Sequence, residues 1–340
     1  MKRIFGKKAA AAAIAVLISA SLVCTGCSDG GSSGGSDSGG GTEGSTTTKP
    51  TIADGTYCDG KVTVKDGYAT AADKNISGDI VIPDGVRSLG FSKCTGLTGI
   101  TIPASVTEIG QNAFGGCENL ARVTISDGVE IIGSESFRGC ESLRSIQIPA
   151  SMKTIHYKAF NGCKELRITV DEKNMSFSSD NGILYSKDQT KLYSGKCASG
   201  KLVIPENVTY IGAYAFYFCE NLTDVEILGN VTVIDEAAFR CCGLKNMKIL
   251  GSVTYIQDDA FCMCQDLTSI TIPDGLTRIG RSAFYACYNL QNVTIPASVT
   301  SIGGPVFIAC DKLSLLTVST EKQKSWNWGI DSDKITVGNR

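Results

Sequence analysis

Cysteine and histidine are the residue types here whose spacing could do chemistry, since the chain holds 15 cysteines and one histidine. The stretch Cys24-Thr25-Gly26-Cys27 has the spacing of a disulfide oxidoreductase box or of half a zinc site. A thioredoxin-type box needs its first cysteine at a helix N-terminus inside a βαβ unit, where the helix lowers the thiol pKa. A zinc site needs four ligands, and the sequence has no second Cys-x-x-Cys pair and only His156 as an imidazole ligand. Both kinds of chemistry are therefore disfavoured.

The residues around this stretch predict an exported chain. Basic residues at the start are followed by an apolar run over 9–23 that is too short for a membrane span, which predicts a signal peptide over residues 1–26. The sequence after Cys27 is mostly glycine and serine and cannot bury a core. It predicts a flexible tether over residues 27–50.

Between leader and tether, the Cys24–Cys27 stretch resembles a bacterial lipobox. In a lipobox a peptidase cuts before a cysteine that receives a diacylglyceryl group, and small residues such as Thr25 and Gly26 precede that cysteine. The resemblance implies lipid attachment at Cys27 and an exported protein held at the cell surface by an anchor in the bacterial membrane. Position −3 is Cys24, where leucine is usual, so the alternative is ordinary secretion with cleavage nearby.

A repeat of about 23 residues fills most of the remaining sequence. Each unit reads as an Ile-x-Ile strand, a turn, a second short strand, and a tight Ala-Phe-x-x-Cys segment. One unit cannot enclose its own apolar face, so consecutive units must stack, which predicts an α/β-type repeat solenoid, mostly β, of about nine 23-residue coils. The coils begin at Ile80, Ile100, Val123, Ile146, Leu202, Val225, Met247, Ile270 and Val293.

The pattern Leu-x-x-Ile-x-Ile-Pro-x-x-Val-x-x-Ile-Gly-x-x-Ala-Phe-x-x-Cys resembles the BspA-like leucine-rich repeats of bacterial surface proteins, the Treponema-type 23-residue repeat. The resemblance covers about residues 80–318. It implies a right-handed leucine-rich-repeat superhelix. Members of the class are often secreted or lipid-anchored, and several act as adhesins, so the resemblance implies a binding protein.

Departures from the repeat divide the chain into segments. Residues 171–200 interrupt the period and predict an inserted hairpin with strands at 183–186 and 191–194. The flanking segments should cover the open ends of the solenoid, since an uncapped end exposes core. The predicted segments are an N-terminal cap (51–79), a first block of repeats (80–170), the insert (171–200), a second block (201–318) and a C-terminal cap (319–340).

One cysteine in each coil after the degenerate first one, whose cysteine is Cys94, forms a regular column, the cysteine ladder. In-register neighbours in parallel strands have Cβ vectors about 4.8 Å apart, whereas a disulfide needs about 3.8 Å. We therefore expect buried free thiols with weak hydrogen bonds to the backbone, and we leave the states of Cys58, Cys197, Cys241 and Cys262 open. The ladder comprises Cys117, Cys140, Cys163, Cys219, Cys242, Cys264, Cys287 and Cys310.

Catalytic constellations are missing from the sequence. His156 takes the glycine position of its coil, which predicts an exposed substitution at a turn, and no second histidine or orienting motif accompanies it. The sequence contains no Gly-x-Ser-x-Gly, His-Glu-x-x-His or phosphate-binding Gly-Lys-Ser/Thr motif. We predict a protein that is not an enzyme and uses no cofactor or metal.

The residues at outward-facing repeat positions differ between the first and second blocks. The pair before the ladder cysteine is Gly115-Gly116 in an early coil and Tyr217-Phe218 in a later one. Exposed aromatics often anchor protein interfaces, so this predicts a contact stripe on the second block. The alternative is that these side chains pack against one another along the solenoid. The stripe residues are Tyr210, Tyr217, Phe218, Tyr255 and Tyr285.

These features predict an adhesin-like surface protein that binds a protein or another surface macromolecule of a host or bacterium. A formal net charge of −2 argues against nucleic acid as the partner. The alternative function is a structural or accessory envelope component without an external ligand.

Overall fold

The computed structural model describes residues 52–338. The chain divides into two units, residues 1–47 and 48–340, and the described residues all belong to the second. The predicted signal peptide, the predicted tether and Cys27 lie outside the described residues.

Short strands make up most of the described chain. Within it only Glu321–Lys324 (α1) forms an α-helix, followed by a 3-10 turn at Ser332–Lys334. The first strands are β1 (Gly55–Tyr57), β2 (Val62–Lys65), β3 (Tyr68–Ala71), β4 (Gly78–Val81), β5 (Ser88–Gly90), β6 (Leu97–Ile102), β7 (Glu108–Ile109), β8 (Arg122–Ile125), β9 (Ile131–Ile132), β10 (Ser145–Ile148), β11 (Thr154–Ile155) and β12 (Arg167–Val170). The insert contains β13 (Phe177–Asp180), β14 (Ile183–Ser186) and β15 (Lys191–Ser194). The others are β16 (Gly200–Ile204), β17 (Tyr210–Ile211), β18 (Leu222–Ile227), β19 (Val233–Ile234), β20 (Asn246–Ile249), β21 (Tyr255–Ile256), β22 (Ser269–Thr271), β23 (Arg278–Ile279), β24 (Asn292–Ile295), β25 (Ser301–Ile302), β26 (Leu315–Val318) and β27 (Ile335–Val337).

One side of the solenoid, the long-strand face, consists of parallel strands one coil apart. Ile100 of β6 pairs in register with Val123 of β8. Because side chains alternate along a strand, Val123 and Ile125 are buried while Arg122 and Thr124 point outward. The face comprises β4, β6, β8, β10, β12, β16, β18, β20, β22, β24, β26 and β27.

The long-strand face contains twelve strands, so the predicted count of nine coils is too low. The additional strands are β12, β26 and β27, and the turn and second-strand pattern that identifies a coil in the sequence does not follow them. Their alternating apolar residues are nevertheless enough to continue the parallel pairing, as Leu316 pairs with Ile335.

The opposite side, the short-strand wall, is built from two-residue strands. Between β7 and β25 the pairing stops at β11, which ends the sheet β11-β9-β7, and the next sheet of the wall, which runs through β17 to β25, begins with the insert. The strands of the wall are β7, β9, β11, β17, β19, β21, β23 and β25.

Each block begins with an antiparallel meander that joins this side of the solenoid. Strands β1, β2 and β3 form the first meander, and β3 pairs in parallel with β5. The segment 171–200 forms the second, with β13 as a third strand before the two expected ones, and Lys191 of β15 pairs in parallel with Tyr210 of β17. The insert therefore starts a new wall rather than standing off an old one.

Each block also ends in the same way, with one buried amide side chain that hydrogen-bonds to the backbone of its last coil. The Asn174 side-chain amide donates to the carbonyls of Pro149 (2.8 Å) and Met152 (2.9 Å), and its oxygen accepts two backbone N–H groups. Gln323 of α1 does the same for Pro296 (2.9 Å) and Val299 (3.0 Å), which hold the same positions in their coil. The carbonyls of Pro149 and Pro296 also accept the backbone N–H of Met152 and Val299. The carbonyls of Met152 and Val299 depend on the amide, because no further turn follows to supply a donor.

The apolar interior consists of two cores that meet at the insert. Leu184 packs into the core of the first block, while its neighbours Ile183 and Tyr185 pack into that of the second. Each core contains a column of stacked rings whose centroids lie 4.9–6.0 Å apart. The first column is Phe91, Phe114, Phe137 and Phe160; the second is Phe216, Phe239, Phe261, Phe284, Phe307 and Trp328.

Candidate functional site: an aromatic surface at the block junction

The cysteine ladder is buried and free in both blocks, and each thiol donates to the backbone carbonyl at the phenylalanine position of the preceding coil. Cys163 donates to Phe137 at 3.1 Å and Cys310 to Phe284 at 3.1 Å. Burial raises the pKa of both thiols to about 12, so neither is a thiolate near neutral pH. The same bond is made by Cys117, Cys140, Cys219, Cys242, Cys264 and Cys287.

The cysteines off the ladder are also free thiols. Cys58, Cys197 and Cys241 are partly buried, and Cys262 is buried. Burial raises the pKa of all four thiols, to about 12 for Cys262. In residues 52–338, no group of three or more His, Cys, Asp or Glu side chains is placed to hold a metal ion.

His156 is half-buried, not exposed as the sequence predicts. Its ring stacks on Tyr157 with centroids 4.3 Å apart, and Nδ1 accepts the backbone N–H of Lys158 at 3.2 Å. Burial, with Lys158 as a smaller cause, lowers the pKa of the imidazole. His156 is therefore neutral near pH 7 and forms part of an aromatic cluster.

The predicted stripe residues occupy two different places in the structure. Tyr210 and Tyr255 lie in one row of the short-strand wall, two coils apart, with Val233 between them. The Tyr210 hydroxyl donates to Asp235, and the Arg278 guanidinium lies 4.9 Å from the centre of the Tyr255 ring. Both tyrosines are partly buried.

Tyr217, Phe218 and Tyr285 lie on turns instead, just before a ladder cysteine. Tyr217 and Phe218 contact each other edge to face, with centroids 4.6 Å apart. Phe218 and Tyr285 are exposed, at 39% and 36%. Among the rings of residues 52–338, Tyr285 contacts none of the other stripe residues, so the five do not form one continuous surface.

Phe218 is a bulky residue in a left-handed backbone conformation. Its φ is 63°, in the left-handed region that suits glycine and costs a bulky residue about 1 kcal/mol or more. The turn itself demands this conformation, because the residue before the ladder cysteine is left-handed in every regular coil. Its occupants are Gly116, Gly139 and Gly162 in the first block, and Phe218, Cys241, Met263, Ala286 and Ala309 in the second; Lys93, before Cys94 in the first coil, has the same conformation.

Two tyrosines that sequence reasoning missed complete the cluster around Tyr217. Tyr157, at the end of the first block, lies 5.7 Å from Tyr214 in the second, and Tyr214 lies 5.4 Å from Tyr217. The Lys158 ammonium sits 5.4 Å and 5.1 Å from the rings of Tyr157 and Tyr214. We call Tyr157, Tyr214, Tyr217 and Phe218 the aromatic surface. No sequence signal identifies it, because the insert brings the two ends together.

A buried lysine supports this surface from below. The Lys196 ammonium donates to the carbonyls of Tyr214 (2.7 Å) and Tyr217 (3.0 Å) and lies 5.5 Å from the Tyr217 ring. Burial lowers the pKa of Lys196. The aromatic side chains are therefore held on a fixed backbone.

A long parallel strand on one face of every coil, a short strand on the other and aliphatic side chains between them define a leucine-rich-repeat solenoid. Residues 72–182 and 189–314 match the BspA type leucine rich repeat region, in six copies. The chain belongs to the BspA-type leucine-rich-repeat family. The predicted resemblance and the mostly-β solenoid are thereby confirmed.

This chain is similar to several solved structures of bacterial proteins, including the following two. One is a leucine rich cell surface protein of Faecalibacterium prausnitzii A2-165, with 28% identity and a TM-score of 0.62, covering 74% of each chain. The other is the pneumococcal vaccine antigen PcpA, with 25% identity and a TM-score of 0.51, covering 69% of this chain and 54% of PcpA. A comparison with curated proteins gives no match. Within residues 52–338, no helix has the length and apolar character needed to cross a membrane.

Proposed function

We propose that this protein is exported, is held at the bacterial cell surface by a lipid on Cys27, and binds another protein through the aromatic surface. The predicted stripe contributes Tyr217 and Phe218 to that surface, with Tyr210 beside it. Tyr255 and Tyr285 lie apart from that surface and provide separate contacts on the second block. The role is adhesive, and the protein carries out no catalysis.

The backbone of Phe218 carries this proposal. A strained conformation at an exposed bulky residue points to a function for the side chain, since glycine would make the same turn without strain. Phe218 contacts Tyr217, and Tyr217 is fixed by Lys196 and Tyr214. Rigid, partly exposed aromatic side chains lose little conformational entropy on binding, which makes them effective anchors.

Two comparisons support the surface location. The chain belongs to a family of leucine-rich repeats, whose members generally bind proteins, and the similar structure from F. prausnitzii is itself a cell surface protein. Net charge is close to neutral at −2, so recognition would depend on shape and apolar contact rather than on long-range attraction.

Binding of the purified full chain to a panel of isolated host and bacterial surface proteins tests the proposal. We expect saturable binding to one of them, weakened at least about tenfold by Phe218→Gly or Tyr217→Ser, because an anchoring aromatic contributes about 2 kcal/mol. Ala309→Gly is the matched control, since it relaxes the same left-handed turn in another coil without removing a ring.

Two outcomes would count against this function. If both aromatic variants bind with full affinity, the interface does not include the aromatic surface. If no protein on the panel binds saturably, the result favours an accessory envelope component without an external ligand. Anchoring is tested separately: Cys27→Ser should release the protein from the membrane fraction, and unchanged membrane attachment would reject the lipid on Cys27.

A further inference from the structure

The interruption of the short-strand wall leaves a cleft of about 500 Å³, which we call the junction cleft. It lies between β11, the last strand of the first wall, and strands β15 and β17, which begin the next. Gly195 takes the phenylalanine position of the intervening coil, since its carbonyl accepts the Cys219 thiol as a ladder phenylalanine does elsewhere. The ring column therefore stops at Phe160 and resumes at Phe216. The volume is that of an ordinary small-molecule site.

The inner part of the junction cleft is apolar and aromatic. Phe160 and Leu184 line it at depth, and the rings of Tyr157, Tyr193 and Tyr210 line its sides. Phe160 and Leu184 are buried, so these surfaces are already shielded by the fold. Such walls favour an apolar stem or a group that binds the face of an aromatic ring.

The outer part is acidic. Asp235 and Glu236 line the cleft side by side and accept hydrogen bonds from neutral hydroxyls, those of Tyr210 and Tyr214 respectively. Neither carboxylate forms an ion pair with a described residue. The nearby Lys196 ammonium is engaged by two backbone carbonyls instead.

One buried polar group in the junction cleft lacks a partner. Ser194 is 5% exposed and lines the cleft, and its Oγ has no hydrogen-bond partner among the described residues. Buried hydroxyls are normally paired, and leaving one unpaired is unfavourable. Because the Oγ is enclosed in the unliganded protein, an N–H donor of a ligand would pair with it only after the surrounding side chains move.

We propose that the junction cleft binds a guanidinium or ammonium group carried on an apolar stem, with Asp235 and Glu236 as its anionic partners. The stem packs between Tyr157, Tyr193 and Tyr210, and the cation lies within reach of the carboxylates and the rings. Such a group comes either from a free amine or from a basic side chain of a bound protein. The site goes beyond the adhesive function, because a small cation can enter it whether or not the aromatic surface holds a partner.

Isothermal titration calorimetry of the purified full chain tests this with two probes of the same shape, n-butylguanidinium and the neutral n-butylurea. We expect one butylguanidinium per chain and at least about tenfold weaker binding of butylurea, since charge-assisted hydrogen bonds contribute about 1.5–3 kcal/mol. Equal affinity for the two probes, or no binding of either, would overturn the proposal.

Variants locate the site. Asp235→Asn with Glu236→Gln should weaken butylguanidinium binding about tenfold or more, and Ser194→Ala should weaken it less. Asp258→Asn is the matched control, because Asp258 holds the position of Glu236 one coil further along the wall. Unchanged affinity in the double variant, with circular dichroism showing an intact fold, would reject the carboxylates as partners.

Two further measurements separate the sources of the cation and the two proposed functions. The peptide acetyl-Gly-Arg-Gly-amide should bind more tightly than butylguanidinium if the natural ligand is a side chain, and more weakly if it is a free amine. Phe218→Gly should leave butylguanidinium binding unchanged, so loss of adhesion and loss of cation binding can be told apart. Loss of cation binding in this variant would contradict a separate cleft.

Discussion

The two blocks of repeats share a backbone but differ in what they place on it. At the left-handed position before the ladder cysteine, the first block has glycine at 116, 139 and 162, whereas the second has side chains in all its coils, Phe218 among them. The blocks use the same thiol bond, the same ring column and the same closing amide. The repeat therefore specifies the scaffold, and at Phe218 the second block combines a strained position with an exposed side chain.

The junction between the blocks shows the same contrast. Within a block, the wall strands from β7 to β11 and from β17 to β25 pair directly with one another. At the insert the wall is interrupted, Gly195 replaces a ring, and the junction cleft opens beside the aromatic surface. Both candidate sites thus lie where the repeat is broken.

The largest expected effect concerns the closing amides. Asn174→Ala and Gln323→Ala should each lower the free energy of unfolding by about 3 kcal/mol. Each leaves one buried carbonyl, that of Met152 or Val299, without a donor and removes the acceptor of two backbone N–H groups. Urea unfolding measures the loss, and hydrogen exchange should place it in the first block for Asn174 and in the second for Gln323. Asn174→Asp is a close control that keeps the acceptor and loses the donor. Equal acceleration of exchange in both blocks would show that they form one cooperative unit.

A second prediction uses the ladder, which the blocks share. Burial raises the pKa of Cys163 and Cys310 from 9.0 to about 12 in the folded state, so each thiol stabilises the fold fully below pH 9 and loses that contribution as the pH rises toward 12. Wild type should therefore lose about 2.5 kcal/mol more than Cys163→Ala or Cys310→Ala between pH 8 and pH 11.

Urea unfolding at the two pH values measures this difference. The two variants should behave alike, because the same bond is broken in each block. If the gap between wild type and variant stayed constant with pH, the thiols would not be the titrating groups.

The smallest effect tests the left-handed position itself. Gly139→Ala should cost about 1 kcal/mol of stability through the backbone alone, since its Cβ would meet nothing nearer than 3.9 Å. Phe218→Gly should change stability in the opposite direction, by up to about 1 kcal/mol, because it removes strain from a ring that is 39% exposed. Thermal unfolding measures both. If Phe218→Gly destabilises the protein, the ring is needed for stability. The inference that its strained backbone is retained for binding would then be rejected.

The features that could be predicted from the sequence are those that recur. Cys163 and its ladder partners, the phenylalanine column and the alternation along each long strand follow from a motif repeated at one period. The end coils could not be counted this way, since the strand around Leu316 keeps the alternation but lacks the turn that marks a coil. The prediction that His156 is exposed was wrong for a related reason, because the burial of its ring depends on Tyr157 and on the break in the wall.

The sequence by itself determined the class of protein, because a unit too short to bury its own apolar face must stack, and residues repeated at one period must face the same neighbours. Only the tertiary structure decided where side chains from different blocks meet. Tyr157 and Tyr214 touch, Ser194 is buried without a partner, and Lys196 lies beneath Tyr217, because the insert starts a second wall. A break in a repeat removes the periodic constraint, so its local contacts depend on the three-dimensional path of the chain.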